Sequence, residues 1–141
     1  MLEKGNFTFA MIKPAAVQRG DIGSIIQIIE KEGFRIAAMK KTKFSKEGAK
    51  HFYEEHKDRE FYPDLTDFMS SGPVIALVLE KPNAVKDYRL LIGATNPVDA
   101  EEGTIRKLFA ETLRKNAVHG SDSNESAERE INILFQESEI L

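Results

Sequence analysis

The segment N-A-V-H-G-S-D-S, residues 116–123, contains the side chains with the clearest capacity for chemistry. Histidine can act as a neutral nucleophile near neutral pH, because its unperturbed pKa is about 6.5. The segment precedes a predicted helix that carries Glu130, and it follows several widely spaced basic residues. A nucleophilic imidazole, an acid that orients it and dispersed cations together predict phosphoryl transfer through a phosphohistidine.

The three histidines of the chain have different surroundings. His51 adjoins Lys50 on the polar side of a predicted helix, which favours a solvated side chain. His56 continues an apolar stripe, which favours a half-buried packing role. His119 precedes Gly120, whose missing side chain allows a ligand or another backbone segment to approach closely. His119 is therefore the candidate nucleophile, with a purely structural histidine as the alternative.

Glu130 is the candidate partner of His119, because it lies at the edge of the apolar arc of the last predicted helix. A carboxylate that faces inward is costly to bury without a partner, and an imidazole would be such a partner. The carboxylate would fix the tautomer of the ring and stabilise its developing positive charge. The alternative is an exposed charge among the charged neighbours of Glu130 on that helix.

The candidate phosphate-binding cations are dispersed along the chain as Lys13, Arg89 and Arg106. The sequence has no G-x-x-x-x-G-K-[ST] loop, so a nucleotide would be held by side chains, with arginine forks on its phosphate oxygens. Thr95 and Asn116 could add hydrogen bonds. Taken singly, each of these residues is equally explained as a surface or turn residue. The sequence shows no cluster with metal-ligand spacing, so any divalent ion would arrive with the nucleotide.

The elements that must position these residues are strands separated by helices, but strand and helix do not alternate regularly. Apolar runs predict strands, and stripes of three- to four-residue spacing predict helices. The last helix before the histidine segment begins at Thr104 and is predicted to turn Ile105, Leu108, Phe109 and Leu113 inward. The pattern indicates an α+β sandwich built around a split β-α-β unit. The predicted strands are 7–12, 34–44, 74–79 and a brief one at 118, and the predicted helices are 22–32, 45–56, 61–69, 84–92, 104–113 and 123–135.

The composition is that of a single soluble domain over residues 1–141. Apolar residues make up 41% of the chain, charged residues 30%, and the net charge is −3. This balance predicts no bulk attraction to nucleic acid or to an anionic membrane. There is no cysteine, which excludes disulfides and thiolate chemistry. We expect no signal peptide, we find no apolar run of membrane-spanning length, and we expect a cytoplasmic protein.

Several motifs, taken in order, cover essentially the whole chain and resemble the nucleoside diphosphate kinases. T-F-A-M-I-K-P is similar to the opening strand and lysine of that family, and H-K-D-R-E-F-Y to its base-binding helical hairpin. The later motifs are S-G-P-V, G-A-T-N-P, G-T-I-R and N-A-V-H-G-S-D-S-N-E-S-A-E-R-E-I.

The resemblance implies a ferredoxin-like α/β sandwich with an antiparallel sheet and extra helices. It implies a ping-pong enzyme that moves the γ-phosphate of a nucleoside triphosphate to a nucleoside diphosphate. It also implies Mg²⁺ bridging the nucleotide phosphates, and a homo-oligomer, a tetramer or hexamer built from dimers. By motif, His119 would be phosphorylated, with Tyr53, Ser121 and Glu130 beside it. Phosphate and sugar contacts would come from Lys13, Arg89, Thr95, Arg106 and Asn116, and Phe61 would stack on the base.

Three positions depart from the family pattern: Ala15, Glu60 and Glu102, where aspartate, proline and proline are usual. Two alternatives to an active enzyme remain. The first is a nucleic-acid-binding module on a ferredoxin-like sheet, which would need an aromatic-bearing sheet face and a basic surface. The second is a catalytically inactive relative that acts only in assembly.

Overall fold

Four strands form one antiparallel sheet in the computed structural model, which describes residues 2–141. They are β1 (Phe7–Ile12), β2 (Arg35–Thr42), β3 (Val74–Glu80) and β4 (Val118–Gly120). Their order across the sheet is β2-β3-β1-β4. The first strand therefore lies between β3 and β4, as the split β-α-β unit requires. The predicted α+β class and antiparallel sheet are confirmed.

Seven helices connect and cover the strands within the described part of the chain. They are α1 (Pro14–Gln18), α2 (Ile22–Lys31), α3 (Lys46–Phe52), α4 (Tyr62–Met69), α5 (Ala84–Ile92), α6 (Ile105–Phe109) and α7 (Asn124–Leu134). Short 3-10 turns occupy Glu54–His56 and Glu137–Glu139.

Both faces of the sheet are buried. On one face Phe9 and Met11 of β1 pack with residues of α3, α4 and α7, and on the other Ile12 packs with residues of α2 and α5. All residues of β1, and all of β3 except Glu80, are buried, which explains their uninterrupted apolar runs. A ferredoxin-like nucleic-acid module needs one open sheet face, so this packing counts against that alternative.

Three local features differ from the predicted elements. The helix predicted over 45–56 ends as α3 at Phe52, and Glu54–His56 forms a separate 3-10 turn. Helix α1 follows β1 after one residue, Lys13, and was not predicted, because five residues are too few to show a helical stripe. Pro14 opens it, as proline commonly does at the first helical position.

Helix α6 ends at Phe109, so Leu113 lies beyond it. The prediction that Leu108 and Leu113 face inward was wrong, since they are 56% and 49% exposed, whereas Ile105 is buried as predicted.

Within residues 2–141, no helix combines the length and the apolar character needed to cross a bilayer.

Candidate active site

A cavity of about 450 Å³ opens beside the end of β4 and contains almost all of the predicted site residues. Nine of the ten predicted residues line it: Lys13, Tyr53, Phe61, Arg89, Thr95, Arg106, Asn116, His119 and Glu130. The tenth, Ser121, is fully buried next to Glu130. The fold therefore brings together residues that are up to 117 positions apart along the chain, from Lys13 to Glu130.

His119 is the middle residue of β4, opposite Met11 of β1, so its backbone is held by the sheet. Its Nε2 lies 2.8 Å from Oε1 of Glu130. Ser121 Oγ donates to the same oxygen at 2.7 Å. A carboxylate is an acceptor, so Nε2 carries the proton and donates it, which leaves a lone pair on Nδ1. The ring is thus oriented and held in one tautomer.

Three aromatic rings surround the imidazole of His119. Its ring centroid lies 5.9 Å from that of Phe9, 5.4 Å from that of Phe52 and 6.1 Å from that of Tyr53. Phe52 and Tyr53 meet it edge to face, a preferred arrangement for aromatic rings. Arg129 secures this end of α3 by donating to the carbonyl of Phe52 at 3.2 Å. Packing and hydrogen bonding therefore restrain the ring from several sides.

Gly120 is required because another part of the core occupies the space of a side chain. A Cβ at this position would lie 2.9 Å from Cδ2 of Tyr88 and 3.1 Å from Cδ1 of Ile92. The predicted close approach at Gly120 therefore exists, but it comes from the Tyr88 ring of α5. The aromatic ring supports β4 from the side opposite to Phe9.

Lys13 follows β1 and points into the buried end of the cavity. Its Nζ donates to Oδ1 of Asn116 at 2.8 Å, and Asn116 Nδ2 donates to the carbonyl of Leu113 at 2.9 Å. Burial, together with the positive charge of Arg106, lowers the pKa of Lys13 to about 7. A bound anion would restore the charged form of this amine, because an opposite charge favours ionisation.

The backbone between Asn116 and His119 is strained at Ala117. Its φ is 75°, in the left-handed region that residues with a Cβ avoid. The carbonyl of Ala117 accepts a hydrogen bond from the backbone N–H of Lys13 at 2.9 Å. Because this bond joins the segment before β4 to the end of β1, it places Lys13 and His119 in one cavity. No pattern in the sequence predicts the conformation of Ala117.

Arg106 is buried, as Lys13 is, whereas Arg89 is exposed. Arg106 donates to the carbonyls of Gly93 at 3.0 Å and Val118 at 2.9 Å, and only 7% of it is exposed. Burial lowers its pKa to about 10, so the guanidinium remains charged at neutral pH. Its Nε, like the buried hydroxyl of Tyr53, finds no hydrogen-bond partner within residues 2–141. Burial and the charge of Glu130 raise the pKa of Tyr53, so this phenol stays protonated.

Arg89 and Thr95 complete the polar wall of the cavity. Arg89 lies on α5 and approaches the carbonyl of Gly120 at 3.4 Å. Thr95 lies in the loop after Gly93, whose φ of 84° allows the sharp turn at the end of α5. A Cβ on Gly93 would lie 2.6 Å from Oγ1 of Thr104, so only glycine fits where this loop returns to α6. Thr104 begins α6 as predicted, accepting from the backbone N–H of Lys107 at 3.3 Å.

The opposite end of the cavity is apolar and more open. Phe61 lies there, half-buried, with the His56 ring 5.6 Å from its own. The guanidinium carbon of Arg114 lies 5.2 Å from the centroid of Phe61. Leu113 also lines the cavity. The sequence does not predict Leu113 and Arg114 as site residues, since Leu113 falls on the inward stripe of the predicted helix 104–113 and Arg114 directly after it has no pattern that points to a site.

Magnesium fits this cavity only together with a bound nucleotide. Among residues 2–141, no three His, Asp, Glu or Cys side chains are grouped closely enough to hold a metal ion. Mg²⁺ commonly uses one or two carboxylates plus substrate phosphates and keeps several waters. Asp122 supplies a carboxylate in the cavity lining, whereas Glu130 is engaged by His119 and Ser121.

Fold and site together define a ferredoxin-like α/β protein with an imidazole–carboxylate pair that faces a cavity lined by cations. Comparison with known proteins specifies this further. The family model for nucleoside diphosphate kinase matches residues 6–140. The chain therefore belongs to the nucleoside diphosphate kinase family, which is a family of phosphotransferases.

Individual members of this family are similar to this chain over nearly its full length. The nucleoside diphosphate kinase of Geobacter sp. (strain M21) is 54% identical over 95% of this chain and 98% of its own. That of Pasteurella multocida is 56% identical over 94% of this chain and 96% of its own. The structure is similar to that of the Aquifex aeolicus nucleoside diphosphate kinase, with a TM-score of 0.95 and 42% identity over 96% of this chain and 99% of that one. It is also similar to a Halobacterium salinarum nucleoside diphosphate kinase in complex with CDP, with a TM-score of 0.93 and 40% identity over 97% of this chain and 91% of that one.

Proposed function

We propose that this protein transfers the γ-phosphate of a nucleoside triphosphate, typically ATP, to nucleoside diphosphates by a ping-pong mechanism through a phosphohistidine at His119. The observation that carries the proposal is the 2.8 Å contact between His119 and Glu130 in a cavity that also holds Lys13, Arg89 and Arg106. A histidine held in one tautomer, with cations around it, has the parts that phosphoryl transfer needs.

In the first half-reaction the Nδ1 lone pair of His119 attacks the γ-phosphorus in line with the leaving oxygen. The bond between the γ-phosphorus and the β–γ bridging oxygen breaks, and the nucleoside diphosphate leaves with that electron pair. The imidazole becomes positively charged as the N–P bond forms. Glu130 accepts the Nε2 hydrogen bond throughout, so its carboxylate stabilises this charge.

The cations act mainly by position and charge. Lys13, Arg89 and Arg106 neutralise charge on the transferring phosphoryl oxygens, and because they are already held by the protein, little reorganisation is needed. In the second half-reaction a β-phosphate oxygen of the acceptor attacks the phosphorus on His119, the N–P bond breaks, and the electron pair returns to Nδ1. Asn116 and Thr95 would hydrogen-bond sugar or phosphate oxygens at the same wall.

Mg²⁺ bound to the nucleotide phosphates would supply further charge neutralisation, with Asp122 as the carboxylate available to its water ligands.

The apolar end of the cavity would take the base. Phe61 offers an aromatic face, and stacking on such a face tolerates any base because every base has a π-face. Tri- and diphosphates of several nucleosides are therefore the proposed substrates.

Labelling followed by a chase tests this proposal. The protein is incubated with magnesium and γ-labelled ATP, and GDP is then added. We expect acid-labile label on the protein that passes to GTP, and no label on a His119→Ala variant that still binds nucleotide. Retained turnover in His119→Ala, or label that never leaves the wild-type protein, would contradict the assignment.

Three further expectations belong to this proposal. Residues 1–141 would act as one domain, assembled as a tetramer or hexamer of dimers, and located in the cytoplasm with its substrates. Light scattering on the purified protein and fractionation of cells test the assembly and the location.

A further inference from the structure

The base end of the cavity contains a donor group that the proposed chemistry does not use. Arg114 lies in the loop between α6 and β4, and its guanidinium carbon is 5.2 Å from the centroid of Phe61. It lines the same cavity as His119, but none of its side-chain atoms hydrogen-bonds to another residue within 2–141. Its neighbour Lys115 has the same charge and does not line the cavity.

A base stacked on the face of Phe61 that Arg114 covers would meet this guanidinium. Aromatic carbons in contact are about 3.5–4.0 Å apart, so a base on the ring takes the space in which the Arg114 guanidinium lies. The arginine has a long flexible stem and can yield by moving toward the perimeter of the base. Its five N–H groups then face the base edge, and it has no acceptor.

We propose that Arg114 is a specificity-determining residue that favours guanine nucleotides at this site. Guanine presents two neighbouring acceptors, O6 and N7, which match the arginine fork. Adenine presents N7 beside the N6 amino group, a donor that faces donors. This inference rests on the proposed function, because it assumes that a nucleotide base binds at Phe61.

Equilibrium binding tests the inference without turnover. Unphosphorylated protein is titrated with GDP and ADP by calorimetry, for the wild type, Arg114→Ala and Arg114→Lys. Lys115→Ala is the matched control, since it removes the same charge one residue away. We expect Arg114→Ala to weaken GDP binding about tenfold relative to ADP binding, the value of one good bidentate contact. Arg114→Lys should recover only a minor part of this preference, and Lys115→Ala should leave the ratio unchanged.

An atomic version of the test uses 7-deaza-GDP, which lacks the N7 acceptor. The wild type should bind it more weakly than GDP, whereas Arg114→Ala should bind the two equally. If Arg114→Ala loses affinity for GDP and ADP equally, Arg114 acts only through its charge. If neither affinity changes, Arg114 has no role in binding. Either result overturns the inference. If label passes through His119 but the ratio is unchanged, only this inference fails. If nucleotides bind but no label forms, only the proposed function fails.

Discussion

The two ends of the cavity are built differently. At the phosphate end, Lys13, Arg106 and Glu130 are buried and each makes at least one hydrogen bond within the protein. At the base end, Phe61 is half-buried and Arg114 is exposed, and both lie in segments outside the sheet. The phosphate end is anchored on β1 and β4, whereas the base end is carried by loops and the start of α4.

Under the proposed function, this difference follows from what each end has to do. Phosphoryl transfer depends on precise positioning, since a displacement of about 1 Å can cost about 100-fold in rate, and strands and buried hydrogen bonds provide such positioning. Binding many bases requires contact area with little geometric demand, which a half-buried aromatic ring provides. We therefore expect substitutions at the phosphate end to reduce kcat, and substitutions at the base end to act mainly on KM.

The largest effect is expected for Arg106→Ala. Loss of one preorganised donor should cost about 2–4 kcal/mol of transition-state stabilisation. It also leaves the carbonyls of Gly93 and Val118 without their donor, so the melting temperature should fall as well. Steady-state kinetics below the melting temperature of the variant separates the two effects. Arg35→Ala, which removes a cation paired with Glu80 outside the cavity, is the control. A wild-type rate in folded Arg106→Ala would remove Arg106 from the site.

The second-largest effect is expected for Glu130→Gln. The amide keeps the shape of the side chain but loses the charge that stabilises the imidazolium, so kcat should fall about 100-fold, at the lower end of what a positioned acid–base partner contributes. Glu128→Gln, an exposed residue on the same helix, is the matched control. The phosphorylation rate of the protein in a rapid-quench experiment is the measurement. Equal rates for the two variants would show that the Glu130 carboxylate only packs against His119.

Phe61→Ala tests the base end. Loss of a stacking surface should weaken nucleotide binding by about 1–3 kcal/mol, by similar amounts for all bases, with a larger effect on KM than on kcat. Phe61→Tyr, which keeps the ring, is the control. Nucleotide titrations and steady-state kinetics with ATP, GTP and CTP measure the effect. A loss confined to kcat would contradict the expectation that substitutions at the base end act mainly on KM.

The smallest expected effect is an uptake of protons when a nucleotide binds. Burial lowers the pKa of Lys13 to about 7, so much of this amine is neutral at pH 8 in the free protein. Phosphate oxygens favour its charged form, so nucleotide binding at pH 8 should take up to about one proton, and affinity should fall as pH rises above 7. Calorimetry in two buffers with different ionisation enthalpies measures this uptake, and Lys13→Met should abolish it. Identical uptake in Lys13→Met would assign the proton to another group.

Much of this protein can be predicted from the sequence because the signals are local. The apolar runs of β1 and β3 and the stripe of α2 specify their elements directly, and their predicted starts agree with the structure. His119 and Glu130 could be paired in advance because an inward-facing carboxylate requires a partner. The order of the family motifs then made the cation set predictable as well.

Only the tertiary structure decided what depends on distant segments. Helix α6 ends at Phe109, so Leu113 and Arg114 belong to a loop that meets Phe61 from α4, and nothing near either residue in the chain predicts this contact. The left-handed Ala117 and the Tyr88 ring against Gly120 are likewise products of packing across the sheet. Side-chain chemistry is a property of residues and can be read from the sequence, whereas the distances between those side chains are set by chain topology and packing.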